Sequence, residues 1–216
     1  MEQEQGGRDL SSRRMVLYSF VHFDRSMRVR WLAHELGIEI EERRLDYAGG
    51  EHRSAAHLAR HPFGLVPVAE IDGRCLWESV AICQALVEQR PDCGLEIPPG
   101  APGREDYLAW LMFAGSTFDA ATFEVFHPTA VRPDEARAKA GMARLFPLLV
   151  QLARHLHERD YLVAGRFLLP DLVLGYSLQL LHLIRVLKDY PALEAYRRRL
   201  AERPAAVASR VFSRTL

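Results

Sequence analysis

Residues 50–84 read GEHRSAAHLARHPFGLVPVAEIDGRCLWESVAICQ, and the order of signals along this stretch decides the fold. Val68-Ala69-Glu70-Ile71, Asp72-Gly73 and Arg74-Cys75-Leu76-Trp77 predict a β-hairpin. Its two-residue Asp-Gly turn needs positive φ at its centre, which these residues tolerate. Downstream, Val80, Cys83, Leu86 and Val87 fall at helical spacing and predict a closing helix behind Glu78-Ser79. Upstream, 54–60 is helix-sized, and Val66-Pro67 opens the first hairpin strand.

Further upstream, Met15 to Phe20 is a compact apolar run that predicts a buried strand. Val29, Leu32, Ala33 and Leu36 recur at i, i+3, i+4 and i+7, so Ser26 to Leu36 reads as an amphipathic helix stopped by Gly37. Ile38, Ile40 and Leu45, with charges between them, predict a half-exposed strand. The order β-α-β-α-β-β-α over 15–90 is that of a thioredoxin-like domain. Residues 91–103 carry four prolines and three glycines and read as a linker. Beyond it, 104–216 reads as a helical domain with helices over 104–126, 134–159, 170–188 and 191–202. The helix over 170–188 is apolar nearly all round and is expected at the centre of the core.

The bulk composition removes several classes of function. With Lys+Arg and Asp+Glu at 28 each, the net charge of zero gives no electrostatic pull towards nucleic acid or an acidic membrane. Cys75, Cys83 and Cys93 form neither a metal spacing nor a disulfide framework, so reduced thiols in a reducing, cytoplasmic compartment are expected. Residues 1–14 lack an apolar segment and read as a disordered extension, not a signal peptide. The longest apolar stretch, 172–187, is broken by Gln179, His182 and Arg185, which argues against a membrane span.

The motifs GEHR, HPFGLVP and LWES, in that order, resemble the glutathione-binding half of the glutathione S-transferases, closest to the phi-type pattern of GEH-basic, NPFG-x-VP and LFES or LWES. The architecture of an α/β domain followed by an all-helical one is similar too, so the resemblance covers residues 15 to about 205. It implies a cytoplasmic homodimeric enzyme that joins the thiol of glutathione, a cosubstrate, to a small apolar electrophile without a metal. It leaves open peroxidase and dehalogenase variants of the same thiol chemistry. It also leaves open a regulatory or binding protein without transferase chemistry, of the stringent-starvation-protein type.

The resemblance assigns the ligand residue by residue. Val66 and Pro67, joined by a cis bond, would pair the Val66 backbone with the cysteinyl residue like an added strand. Glu78 would meet the γ-glutamyl ammonium. Ser79, with the helix N-terminus, would hold the adjacent carboxylate; by itself Ser79 also reads as an ordinary N-cap. His52 and Arg53 would grip the glycyl carboxylate, although a charged loop pair is usually just solvated. His57 and His61 stand one helical turn apart, but no carboxylate or cysteine completes a metal set. His61 replaces the usual asparagine before Pro-Phe-Gly.

Activation of the thiol needs a donor, since a free thiol near pKa 8.5 is only about 3% ionised at neutral pH. Alignment on Arg28-Val29-Arg30 and Gly37 puts Phe23, which cannot donate, where serine- and cysteine-type families keep that group. Ser19 falls at the tyrosine-type position and Arg25 at the place of the beta-type cysteine. Ser26, next to Arg25, is the catalytic candidate, with a helix N-cap as its equal alternative. Phe23 with Met112, Ser116 and Asp119 would border the second-substrate pocket; the last three recur at helical spacing with Phe123, a pattern that an ordinary exposed face would also give.

Overall fold

A computed structural model describes residues 14–21 and 23–213. The expected extension over 1–14 lies outside the described residues except for Arg14, which begins the first strand. Four strands, β1 (Arg14–Ser19), β2 (Glu39–Arg44), β3 (Val68–Ile71) and β4 (Arg74–Trp77), form one sheet in the order β2-β1-β3-β4. β1 pairs parallel with β2 and antiparallel with β3, and β3 pairs antiparallel with β4. The parallel pair requires a crossover, supplied by α1 (Ser26–Leu36), which ends at Gly37 with φ 65. Asp72 and Gly73 take φ 51 and 74, so the hairpin turn forms as its sequence requires. The short helix α2 (Ala55–Leu58) is capped by Ser54, whose hydroxyl accepts the His57 N–H, and α3 (Ser79–Glu88) closes this thioredoxin-like half.

The segment 91–103 is packed rather than loose. Leu95, Glu96 and Ile97 are buried, the Leu95 carbonyl accepts the Leu169 N–H at 2.8 Å, and Arg104 pairs with Glu96 at 2.8 Å. The chain then continues through helices α4 (Arg104–Met112), α5 (Asp119–Phe126), α6 (Glu135–His155), α7 (Leu169–Leu183), α8 (Pro191–Ala201) and α9 (Pro204–Ser209). Two differences from expectation have physical causes. The helix expected over 104–126 contains a wide π-turn at Phe113–Phe118, and another follows α5 at His127–Val131. The helix expected over 170–188 ends at Leu183 because Arg185 turns to φ 64 and starts a separate turn. Helix α9 was not expected; Arg203 at its start pairs with Glu35 of α1 at 2.7 Å.

Helix α7 is the centre of the core, buried from Leu169 to Leu181. Gly175 lets α1 close on it: a Cβ there would lie 3.0 Å from the Trp31 ring and 2.9 Å from Leu200. No helix among the described residues is long and apolar enough to cross a membrane.

Asp171 fixes the start of α7. Its carboxylate accepts N–H bonds from Leu162 and Leu168 and the Tyr196 hydroxyl, at 2.9, 2.8 and 2.7 Å. Burial pushes its pKa up to about 6 against the pull of these donors. Asp171→Ala leaves three buried donors without a partner and should lower the unfolding free energy by about 3 kcal/mol or more. Urea unfolding reads this directly, and a loss below about 1 kcal/mol would contradict the capping role.

Candidate active site

A cavity of about 560 Å³ opens between the β1–α1 connection, the Leu65-Val66 corner and the helical half. Phe20, Val21, Phe23, Asp24 and Arg25 line one side, and Phe123, Phe126, Ala130 and Val131 the other. The wall therefore joins Phe23 and Val66, two of the expected site residues. The Val66–Pro67 bond is cis, and Val66 stands just beyond the β1/β3 ladder, whose last pair is Tyr18 with Val68. A slightly larger hollow of about 600 Å³ lies around Trp110 and Tyr161 and contains none of the expected residues.

Gly64 locks two loops together. It takes φ +64, and a Cβ there would meet the His52 carbonyl at 2.7 Å. Only glycine lets the turn carrying His52 and Arg53 (Glu51–Arg53) approach the Leu65-Val66 corner so closely. His52 stacks on Tyr47 with ring centroids 4.5 Å apart and meets the edge of Phe20, while Arg53 is exposed. His61 caps this turn: its Nδ1 accepts the Phe63 N–H at 3.2 Å. Burial lowers its pKa, which favours the neutral ring that this bond needs. His57 is turned to the Leu65 carbonyl at 3.0 Å, so the two histidines serve the backbone of this corner.

At the start of α3, Glu78 occupies the N-cap position at φ 68, ψ 112, a conformation costly for a residue with a side chain. Ser79 is therefore the first helical residue and not the N-cap. It is buried, and its hydroxyl oxygen accepts from Arg28 at 3.2 Å. Because Arg28 supplies that proton, the Ser79 hydroxyl keeps its own proton to donate. Glu78 is exposed beside it.

The catalytic candidate does not reach the cavity. Ser26 is fully buried at the first position of α1, with its hydroxyl 3.4 Å from Arg30 and its N–H on Asp24. Ser19 donates to Glu42 at 2.7 Å, and Arg30 pairs with the same carboxylate at 2.5 Å. Burial pushes the Glu42 carboxyl up, but these hydrogen bonds and the Arg30 charge outweigh it and hold it below its ordinary value. Tyr18 is buried and donates to Glu70. No hydroxyl or thiol side chain lines the cavity among the described residues.

The expected polar face of the helical half is also corrected. Met112 and Ser116 are exposed, and the Ser116 hydroxyl donates to the Met112 carbonyl at 2.6 Å. The π-turn at Phe113–Phe118 takes more residues per turn than an α-helix, so the 3.6-residue spacing fails and Asp119 leaves that face and turns inward. Asp119 is buried, accepts Arg25 at 2.7 Å on Oδ2 and pairs with Arg28 through Oδ1. Arg28 is itself fully buried and donates to Ser177 at 3.2 Å, with its guanidinium 4.7 Å from the Tyr176 ring centre. Tyr176 in turn donates to the Phe23 carbonyl at 2.8 Å. Sequence reasoning missed Arg28 as a site residue, though its place four residues before Leu32 on the apolar side of α1 was a signal.

Residues 14–88 match the family model "Glutathione S-transferase, N-terminal domain". Among curated relatives, glutathione S-transferase A of Pleuronectes platessa is 30% identical over 173 residues, covering 76% of each chain. A maleylacetoacetate isomerase of Rhizobium meliloti (strain 1021) is 41% identical over 80 residues, which is 37% of this chain and 38% of that one. The solved glutathione transferase of Methylococcus capsulatus str. Bath superimposes with a TM-score of 0.80 at 28% identity, covering 90% of this chain and 96% of that one.

Gly64→Ala forces a side chain against the His52 carbonyl at positive φ and should cost about 1–3 kcal/mol of stability. Thermal unfolding of this variant at wild-type melting temperature would show that the two loops are not locked.

Proposed function

The chain belongs to the glutathione S-transferase family, and from that premise we propose that it binds glutathione along the corner formed by Val66-Pro67, just before β3, and the start of α3. The thiolate would then be joined to a small, largely apolar electrophile in the 560 Å³ cavity. The observation that carries this reading is one shared space: Val66, the residue for strand-like pairing with the cysteinyl unit, lines the same cavity as the aromatic residues Phe23, Phe123 and Phe126. A sulfur paired to Val66 therefore faces an apolar chamber. Its lone pair forms the new carbon–sulfur bond as the leaving group departs with the old bonding pair.

The remaining contacts follow from the ends of the tripeptide. The γ-glutamyl carboxylate meets the Ser79 hydroxyl and the free N–H groups at the start of α3, where the helix dipole favours an anion. Glu78 faces the adjacent ammonium, and His52 with Arg53 meets the glycyl carboxylate. Ser79→Ala should raise the dissociation constant for glutathione about tenfold, from loss of a charge-assisted hydrogen bond worth roughly 1.5–3 kcal/mol. Isothermal calorimetry measures it, and absence of glutathione binding by the wild-type chain refutes the reading.

A second reading is a glutathione-binding protein without conjugation chemistry. The observation in its favour is the absence of a hydroxyl or thiol side chain from the described cavity wall. Binding by calorimetry with no turnover across a panel of aryl halides, enones and epoxides would select it.

We also infer a two-fold homodimer in a reducing, cytoplasmic setting. Phe63 is 71% exposed at the tip of the HPFG turn, beside the exposed Trp77 and Leu65, and such an aromatic tip is suited to a pocket on a second copy. Light scattering at micromolar concentration should give about twice the chain mass of 24.6 kDa, falling towards the monomer in Phe63→Ser. A wild-type mass near that of one chain contradicts the dimer.

A further inference from the structure

We propose that Arg25 is the catalytic group that stabilises the glutathione thiolate, replacing the hydroxyl donor with a cation; this rests on the glutathione reading above. Arg25 is the only cationic side chain in the described cavity wall, which also contains Val66 and Phe23. Its side chain is 39% exposed, so the guanidinium is held but not sealed from the cavity. Two contacts fix its position. Nε and one terminal nitrogen both lie 2.7 Å from Asp119 Oδ2, and the guanidinium carbon rests 4.0 Å from the centre of the Phe123 ring. Of five guanidinium N–H groups, the Asp119 contact uses two and leaves three.

The surrounding charges decide whether a cation remains available. Asp119 on α5 is shared between Arg25 and Arg28. Arg28 is sealed in the interior and cannot be left uncompensated there, so one carboxylate answers two guanidinium groups. The opposing charge on the β1–α1 connection is Asp24, which also lines the cavity. Its Oδ2 accepts the N–H groups of Phe20 and Val21 at 2.6 and 3.0 Å, and its Oδ1 accepts that of Ser26 at 2.8 Å. Asp24 is thus spent on three backbone donors that shape the connection. On α7, burial raises the Tyr176 pKa and keeps that phenol neutral. The formal charges of Arg25, Arg28, Asp119 and Asp24 balance, and with both Asp24 oxygens turned to the backbone, Arg25 is the charged group of the cavity wall with N–H donors left over.

A guanidinium has no acceptor and cannot act as a base. The thiol proton passes to solvent, and Arg25 stabilises the anion left behind by charge and N–H donation. This sets Arg25 apart from Ser26, whose hydroxyl is turned to Arg30.

The test is an ultraviolet titration of the thiolate of bound glutathione, at concentrations saturating by calorimetry. The wild type should ionise about one to two units below the free thiol value near 8.5. Arg25→Met keeps an aliphatic stem over Phe123 and should raise that midpoint by about one unit, with affinity changed less than about threefold. Conjugation near pH 6.5 should fall about tenfold in this variant and recover as pH rises, which a purely structural role would not produce. Arg25→Lys keeps the charge and should retain most of the depression, which separates electrostatics from misfolding. Titrations of wild type and Arg25→Met that superimpose overturn the proposal. Bound glutathione ionising at its free value overturns this proposal alone, whereas failure of glutathione to bind overturns the proposed function as well.

Discussion

The buried pair of Arg28 and Asp119 is the constraint on which the rest of the site depends. A guanidinium with 1% of its side chain exposed carries a desolvation cost of several kcal/mol, met only if its donors find partners in fixed positions. Those partners come from three other helices: Ser79 at the start of α3, Asp119 at the start of α5, and Ser177 with the Tyr176 ring on α7. Such a pair is weak evidence for stability, because a well-packed apolar set of the same volume does as well. Its contribution is positional. One relative seating of α1, α3, α5 and α7 brings partners to both terminal nitrogens of Arg28, leaving its buried Nε unpaired, and that seating sets both Ser79 and, through Asp119, Arg25.

A second polar set on the other side of α1 accounts for the missing hydroxyl. Ser19 at the end of β1 and Ser26 at the start of α1 both turn to the Glu42–Arg30 pair beside β2. The parallel register that places Ser19 against Arg44 brings Glu42 of the same strand within reach of its hydroxyl. Both serines nearest the cavity in sequence are therefore committed to joining β1, β2 and α1. With Phe23 in the remaining position, the connection between β1 and α1 offers its cavity two aromatic rings, a capped carboxylate and one guanidinium.

The division between what was legible in the sequence and what was not follows the range of the interactions. The Asp72-Gly73 hairpin and the helix from Ser26 to Leu36 with its stop at Gly37 are decided within a few residues, and the sequence reading matches the structure there. The cis Val66–Pro67 bond was legible only through family resemblance, since a lone Val-Pro is ordinarily trans. Asp119 was misplaced because spacing arguments assume 3.6 residues per turn, and the π-turn at Phe113–Phe118 breaks that period just before it. The same turn brings Gly115 against α3, where a Cβ would lie 2.5 Å from Val80, so tertiary packing has overridden local periodicity. The segment 91–103 has the composition of a tether, yet Arg104 and Arg166 bind Glu96 and its neighbours from outside it. Its burial is set by residues that no local window contains.

The strained Glu78 sits next to the serine that meets the same buried arginine. Trp77 ends β4 and Ser79 already belongs to α3, so a single residue must convert an extended chain into a helix. The Ser79 hydroxyl must at the same time lie 3.2 Å from Arg28. Glu78 meets both demands by adopting φ 68, at a cost of roughly 1–3 kcal/mol that glycine would largely avoid. A glycine, however, carries no carboxylate. The chain keeps a strained acidic residue where an unstrained neutral one would fold at least as well, beside a hydroxyl and the free N–H groups of a helix start. The carboxylate of Glu78 and the partial positive charge of the helix start thus stand side by side, the pair of signs that the proposed γ-glutamyl contact uses.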